Sequence, residues 1–211
     1  MAKKATKNGV KKPVKKVTKK GTKKTAKKVA KKAAKKVVKK APQPTKEKTK
    51  LKGPAESVKL AVGSLAPGFT LEDQNGKKIS LKDFHGKKVV VYFYPKAMTP
   101  GCTVQACSLR DSSVDLKKHN IVVLGISADP VKKLKQFEEK DKLNFTLLSD
   151  PDHQVCEAYG SWGLKKFMGR EFMGILRQSF LIDEKGTIVH IMTKVDTKTH
   201  HADVLKAFSH Q

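Results

Sequence analysis

From Lys11 to Lys40 the chain repeats a pair of lysines every four residues, starting at Lys11, Lys15, Lys19, Lys23, Lys27, Lys31, Lys35 and Lys39. This repeat is the centre of a lysine-rich segment, residues 1–54, that takes roughly a quarter of the chain and is expected to stay out of any core. A period of four drifts by about 40° per repeat on a helix of 3.6 residues per turn, so the Ala, Val and Thr between the pairs form no fixed apolar stripe. Dense like charge with nothing to bury does not offset the entropy of ordering. Residues 1–54 are therefore expected to be a disordered tail and linker, stiffer from Ala41-Pro42-Gln43-Pro44 onward, and residues 55–211 to be the folded domain.

The charge is divided in the same way. The chain of 211 residues carries a formal +27, and Met1–Lys52 holds 23 of the 46 Lys and Arg but only one acid, Glu47. The rest is only mildly basic. A segment like residues 1–52 binds polyanions by releasing counterions, with little sequence preference. It contains no aromatic residue on which single-stranded bases could stack. Nonspecific nucleic acid is thus the expected partner of the tail, through association with a nucleoid or, in a eukaryote, a nucleus. The bland alternative is a solubilising extension. No apolar run reaches the roughly 18 residues of a membrane span, and no apolar stretch follows the N-terminal charge as in a secretory signal. The membrane is not an expected partner. Three cysteines in a chain of this length read as free thiols in a reducing cytosol rather than as a disulfide scaffold.

After Ala55 strand-like and helix-like runs alternate. Phe69–Leu71 and Lys78–Leu81 flank Asp73-Gln74-Asn75-Gly76, a hairpin signal. Val89–Tyr94 is apolar and β-branched, as suits a strand buried on both faces. A helix is expected over Pro100–Lys118, a second buried strand over Ile121–Ser127, a helix over Val131–Lys140 and a short strand over Phe145–Leu148. Asp150-Pro151 reads as an N-cap and first position opening a helix to about Tyr159. Gln178–Ile182 and Thr187–Met192 form a last hairpin, and His200–Ser209 a last helix. The pattern predicts an α/β domain whose terminal hairpin makes the central sheet mixed.

The segment that carries chemistry is Tyr92-Phe-Tyr-Pro-Lys-Ala-Met-Thr-Pro-Gly-Cys-Thr-Val-Gln-Ala-Cys107. It runs from the C-terminal end of a central strand into a helix, the edge where open α/β sheets bind ligands. With Thr99 as N-cap and Pro100 at the first position, Cys102 falls in the first turn, among backbone N–H groups without helical partners at the positive end of the dipole. A sulfur there is favoured as thiolate, the nucleophilic form. Pro95 and Pro100 stiffen the loop, Gly101 permits close backbone approach, and the Thr99 hydroxyl can accept a capping bond while donating to a bound oxygen. The competing readings are a small inert core cysteine and a zinc site drawn from Cys102, Cys107, Cys156 and His153. Against zinc, residues five apart on a helix point about 140° away from each other. A C-x-x-C dithiol is absent.

Pro95-x-x-x-Thr99-x-x-Cys102 resembles the active-site motif of the peroxiredoxins. The longer run Phe93–Cys107, with Leu143–Asp150 and the stretch from Phe167-Met-Gly through Arg177–Asp183, is similar to their bacterioferritin comigratory protein, or Q-type, branch; Gln105 stands where many members carry Glu. The likeness extends over Val58–Phe208 and excludes the tail. It implies a thioredoxin-like fold and a thiol peroxidase without cofactor or metal. The substrates it implies are hydrogen peroxide and organic hydroperoxides, with thioredoxin as reductant. Cys102 would attack the peroxide, Thr99 and the helix amides would hold it, Pro95 would shape the loop, and Arg177 would fix the thiolate and polarise the O–O bond. Cys107 would be the resolving thiol.

That last role has a geometric consequence. On an intact helix the Cα atoms of residues 102 and 107 lie about 8.7 Å apart, beyond the roughly 7 Å a disulfide tolerates. Oxidation is expected to unwind the first turns. Cys156 is expected to be structural, with a backup resolving role as the alternative. Trp162, Phe167, Met168, Phe172 and Met173 read either as an apolar collar over the site or as ordinary packing. The histidines, His200 and His201 included, show no metal-ligand pattern. With no oligomerisation segment evident, the chain is expected to be a monomer. Two other function classes compete with the enzyme: a nucleic-acid compaction protein acting through its tail, and a redox sensor.

Overall fold

The structure, a computed structural model, describes residues 60–167 and 169–209. The expectations made for the tail and for Met168 lie outside these residues. Among the described helices none is long and apolar enough to cross a membrane.

The Asn-Gly signal forms the first hairpin, β1 (Thr70–Asp73) and β2 (Lys78–Ser80). Asp73 Oδ1 accepts from the N–H of Asn75 and Lys77, both at 2.8 Å, and Gly76 takes the left-handed φ of 77° that the turn requires. The β-branched runs become β3 (Lys88–Phe93) and β4 (Ile121–Ser127), parallel neighbours with Val91 opposite Leu124. β5 (Thr146–Ser149) extends the parallel part. β8 (Gln178–Ile182) and β9 (Ile188–Met192) add antiparallel strands on the other side of β3. The strand order is β2-β1-β5-β4-β3-β8-β9, so β3 lies inside the sheet between β4 and β8, and its C-terminal end opens onto the Pro95–Thr99 loop.

Strand alternation sorts β3 onto two faces. Val90 and Tyr92, with Tyr94 just beyond the strand, pack with Cys102, Ala106 and Leu109 of α1 (Pro100–Asp111). The same cluster takes Leu134 and Phe137 of α3 (Val131–Asp141) and Val204 and Phe208 of α5 (His200–Ser209). Val89, Val91 and Phe93 pack on the opposite face with Phe180, Ile182 and the Val155, Cys156 and Tyr159 group around α4 (Gln154–Ala158). Cys102 and Cys156 therefore lie on opposite sides of the sheet, and the zinc grouping of the two is excluded by the fold.

Several expected boundaries are corrected. The helix expected over Pro100–Lys118 is two, α1 and α2 (Ser113–Lys118), with a break at Ser112. The run Asp111-Ser112-Ser113 supplies side chains that compete for backbone hydrogen bonds. Asp150-Pro151 does not open a helix. The chain turns there, His153 takes a left-handed φ of 59°, and α4 starts at Gln154. Asp150 still satisfies that helix from outside, since its Oδ2 accepts from Cys156 N–H at 2.8 Å. Residues left without an expected element form a separate antiparallel pair, β6 (Trp162–Phe167) and β7 (Arg170–Ile175), which turns through Gly169 at φ 77°.

Candidate active site

α1 begins where the sequence places it. Thr99 is extended (φ −90°, ψ 151°), Pro100 is the first helical residue and Cys102 the third. The approach from β3 is held by a tight turn. Met98 has a left-handed φ of 62°, a conformation costing about 1–3 kcal/mol that persists only where the surroundings enforce it. The enforcement is visible. Ala97 N–H donates to Asp129 Oδ2 at 2.6 Å, and that carboxylate also accepts from Ser127 Oγ (3.1 Å) and Lys133 Nζ (2.5 Å). Asp129, at the end of β4, clamps the loop containing Pro95 and Thr99. The sequence reading missed it, although Ser127-Ala-Asp129-Pro130 after a buried strand was a readable helix-entry signal.

The Thr99 hydroxyl does not cap the helix. It donates to Lys96 O at 3.0 Å, so its proton is spent within the loop and its lone pairs are what it offers a ligand. The expected simultaneous role as cap acceptor and donor is corrected accordingly. Gly101 is not needed for close approach either. A Cβ there would meet only Arg177 Nη2, at 3.6 Å, an ordinary contact.

Cys102 is 2% exposed, and its sulfur accepts from Arg177 Nη2 at 3.2 Å. The two residues are far apart in sequence and meet because β8 pairs with β3. Arg177 lies in the link between β7 and β8, and Ser161 pins that link from both sides. Ser161 O accepts from Leu176 N–H at 2.7 Å, while Ser161 Oγ donates to Gln178 Oε1 at 2.9 Å. A second cation is nearby on the hairpin. Lys165 Nζ donates to Ile175 O at 2.9 Å, and partial burial, then the Arg177 charge, pull it below its ordinary pKa. Pro95, Thr99 and Arg177 are half-buried, and of the three it is Arg177 that contacts the sulfur.

Behind Arg177 runs a polar chain that the sequence reading did not find. Arg177 Nη1 donates to Gln105 Oε1. Gln105 Nε2 lies 3.1 Å from His200 Nδ1, and His200 Nε2 lies 2.9 Å from Ser179 Oγ. Gln105, His200 and Ser179 are all fully buried. Burial pushes the His200 pKa down to about 4, with the Arg177 charge adding to the shift and Asp203 opposing it. Beneath the site Tyr92 and Tyr94 stack at 5.4 Å and 29°, and burial raises both phenols, keeping them protonated.

Cys107 lies farther along α1, half-buried, and burial raises its thiol pKa against the opposing Arg110 charge. All three cysteines are free thiols, and α1 is unbroken from Pro100 to Asp111. Cys156 is fully buried, and its pKa is raised chiefly by that burial and then by the Asp150 carboxylate. The expected apolar collar is not assembled as such. Trp162 stacks on His153 at 3.8 Å, while Phe172 and Met173 are exposed on the hairpin. The side chains of Phe167 and Met168 lie outside the described ones.

A buried thiol at a helix N-terminus, under a guanidinium and at the C-terminal edge of a mixed sheet, defines a cysteine-based redox enzyme. The comparisons specify which. The sequence profile of the AhpC/TSA family matches residues 62–191. Peroxiredoxin Bcp of Escherichia coli (strain K12) is 58% identical over 146 residues, covering 69% of this chain and 94% of that protein. Among solved structures, peroxiredoxin Q of Xanthomonas campestris superposes with a TM-score of 0.64 at 32% identity, over 67% of this chain and 90% of the other. The bacterioferritin comigratory protein of the same organism, described for alkyl peroxide reduction, gives 0.64 at 27%, over 74% and 99%. The chain belongs to the AhpC/TSA family, as a peroxiredoxin of the bacterioferritin comigratory protein or Q type on a thioredoxin-like fold, and it is a thiol peroxidase.

Proposed function

We propose that Cys102 is the peroxide-attacking residue and Cys107 the resolving thiol of a cycle closed by thioredoxin. The observation that carries this reading is the Arg177 Nη2–Cys102 Sγ contact of 3.2 Å in the first turn of α1. The Cys102 thiolate attacks the nearer oxygen of a hydroperoxide. An S–O bond forms, the O–O bond breaks, and the leaving hydroxide or alkoxide takes a proton to depart as water or alcohol. Cys102 becomes a sulfenic acid. Charge builds on both oxygens as the bond breaks, and Arg177 with the free amides of the first turn offers fixed donors to it. Thr99 Oγ, its own proton committed to Lys96 O, accepts a hydrogen bond from the hydroperoxide O–H and so orients the substrate. Pro95 stiffens the loop that carries this oxygen, and Asp129 holds it at Ala97 N–H.

Cys107 sulfur then attacks the Cys102 sulfenic sulfur, releasing water and forming a disulfide. Thioredoxin, a dithiol, reduces it and leaves as its own disulfide. The intact α1 keeps the two Cα atoms about 8.7 Å apart, so the first turns must open. Both thiols are on one helix, so the cycle needs no second subunit and a monomer suffices. Hydrogen peroxide and organic hydroperoxides are both substrates on this reading, the latter supported by the Xanthomonas relative described for alkyl peroxide reduction.

The test is NADPH consumption with thioredoxin, thioredoxin reductase and hydrogen peroxide. Wild type is expected to turn over, Cys102→Ser to be inactive, and Cys107→Ser to consume one equivalent of peroxide and stall. Hydrogen exchange on the oxidised protein should show lost protection over Thr103–Arg110. Full protection there in a disulfide-bonded protein would falsify the pairing.

A further inference from the structure

The chain Arg177–Gln105–His200–Ser179 has only one consistent direction. A guanidinium has donors and no acceptor, so the Gln105 oxygen must face Arg177 Nη1, as found. The amide nitrogen is then the group 3.1 Å from His200 Nδ1. It can only donate, so Nδ1 must be unprotonated. A neutral imidazole carries its one proton on the other nitrogen, so Nε2–H donates to Ser179 Oγ at 2.9 Å. Every bond points away from the guanidinium. Because Gln105 is neutral, it orients Arg177 without pairing its charge, which stays available to the sulfur and the peroxide.

The same contact fastens two elements. Gln105 is on α1 and His200 opens α5. Next to it His201 Nδ1 lies 2.7 Å from Ser108 Oγ, again joining α5 to α1. Tyr92 packs its ring edge-on against His200, with centroids 5.9 Å apart, fixing the imidazole plane. Ser179 is on β8, two residues from Arg177, and pairs with Tyr92 of β3. The imidazole is therefore held by the sheet on one side and reads the orientation of the Gln105 amide on the other.

We propose that His200 is a positioning residue of the peroxidase: its imidazole, protonated on Nε2, fixes the Gln105 amide and through it the Arg177 guanidinium on Cys102 Sγ. The proposal rests on the reading that Cys102 attacks the peroxide. His200 touches neither sulfur nor substrate and acts only through Gln105.

The first measurement is the tautomer, from 15N NMR of the full-length reduced wild type at neutral pH. The expected result is a pyrrole-type Nε2 and a pyridine-type Nδ1; a pyrrole-type Nδ1 overturns the proposal. The second is kinetic, in a Cys107→Ser background so that only peroxide attack is read, by trapping the Cys102 sulfenic acid in quenched samples. His200→Leu should slow its formation about tenfold, the effect of roughly 1.4 kcal/mol on a barrier. His200→Asn, whose Oδ1 can take the place of Nδ1 as acceptor, should recover most of the rate. A Leu variant as fast as the parent, or an Asn variant no better than Leu, overturns the positioning role. Should the Leu variant not fold, the wild-type tautomer and the Asn rate still decide. If instead Cys102→Ser consumed peroxide at the parent rate, the assignment of the nucleophile would fail while the tautomer could still be as expected, so the two failures are distinguishable.

Discussion

The two faces of the central sheet each bury a cysteine, and they treat it differently. Cys102, 2% exposed, sits where α1 begins, with a guanidinium on its sulfur and a buried polar chain behind that guanidinium. Cys156, 0% exposed, sits among Val155, Tyr159 and Phe180, with the Asp150 carboxylate as its nearest charge. Depth does not separate them. The sign of the neighbouring charge and the presence of unpaired helix N–H groups do. Burial beside a cation and open donors favours a thiolate, while burial beside an anion disfavours it. The Cys102 face also buries more polar groups, some paired, as in the chain from Arg177 to Ser179, and some not, as at the Tyr92 hydroxyl.

The largest test of this contrast exchanges the two sulfurs. Cys102→Ser should lower peroxide turnover by more than about a thousandfold, the scale of removing a catalytic nucleophile. Cys156→Ala should leave turnover unchanged and cost about 1 kcal/mol of stability for a small buried cavity; peroxide turnover and urea melts of both variants read the difference. Next comes the cation. Arg177→Met keeps the bulk and removes the donors, and turnover should fall by about a hundredfold, as for the loss of a fixed donor to developing charge. Retained activity in that variant would mean that the helix amides alone activate Cys102.

A smaller effect concerns the pH dependence of the Cys102 face. Above pH 6.5, the ordinary value for His200, the imidazole is neutral folded and unfolded. Below it the unfolded chain takes up a proton that the folded protein refuses until about pH 4. Stability should therefore fall as pH drops from 6.5 to 4 and the loss should level off below, about 3 kcal/mol in all from this group. Burial sets most of this shift; of the charged or titratable neighbours Asp203 opposes it, and Arg177 and His201 add to it. Urea midpoints against pH should show this decline in wild type and a shallower one in His200→Asn; equal slopes would assign the acid sensitivity elsewhere. The smallest effect is steric. A Cβ on Gly125 would lie 2.8 Å from the Tyr92 ring. Gly125→Ala should cost about 1–3 kcal/mol by overpacking, read as a lowered thermal midpoint, with the damage on the Cys102 side of the sheet.

Much of this was legible in the chain itself. The β-branched runs at 89–94 and 121–127 have one stable use, as strands covered on both faces, and β3 and β4 are those strands. Thr99-Pro100-Gly101-Cys102 places a sulfur in a first helical turn because proline fits only there, and α1 starts accordingly. Local rules sufficed wherever neighbours in sequence made the decision. They failed where one side chain had two local options of similar merit: the Thr99 hydroxyl turned back to Lys96 instead of capping α1, and Asp150 accepted from Cys156 N–H across a turn instead of opening the helix itself.

The contacts that complete the site join residues far apart in sequence, and no periodicity reports them. Arg177 reaches Cys102 because β8 pairs antiparallel with β3, and Asp129 reaches Ala97 because β4 pairs parallel with it. His200 reaches Gln105 because α5 packs on α1. The sequence by itself determined that Cys102 stands in the first turn of α1, since a helix start is a property of a few consecutive residues. Only the tertiary structure decided which groups orient its cation, since a buried hydrogen-bond chain exists only where distant elements bring donors and acceptors within 3 Å or so.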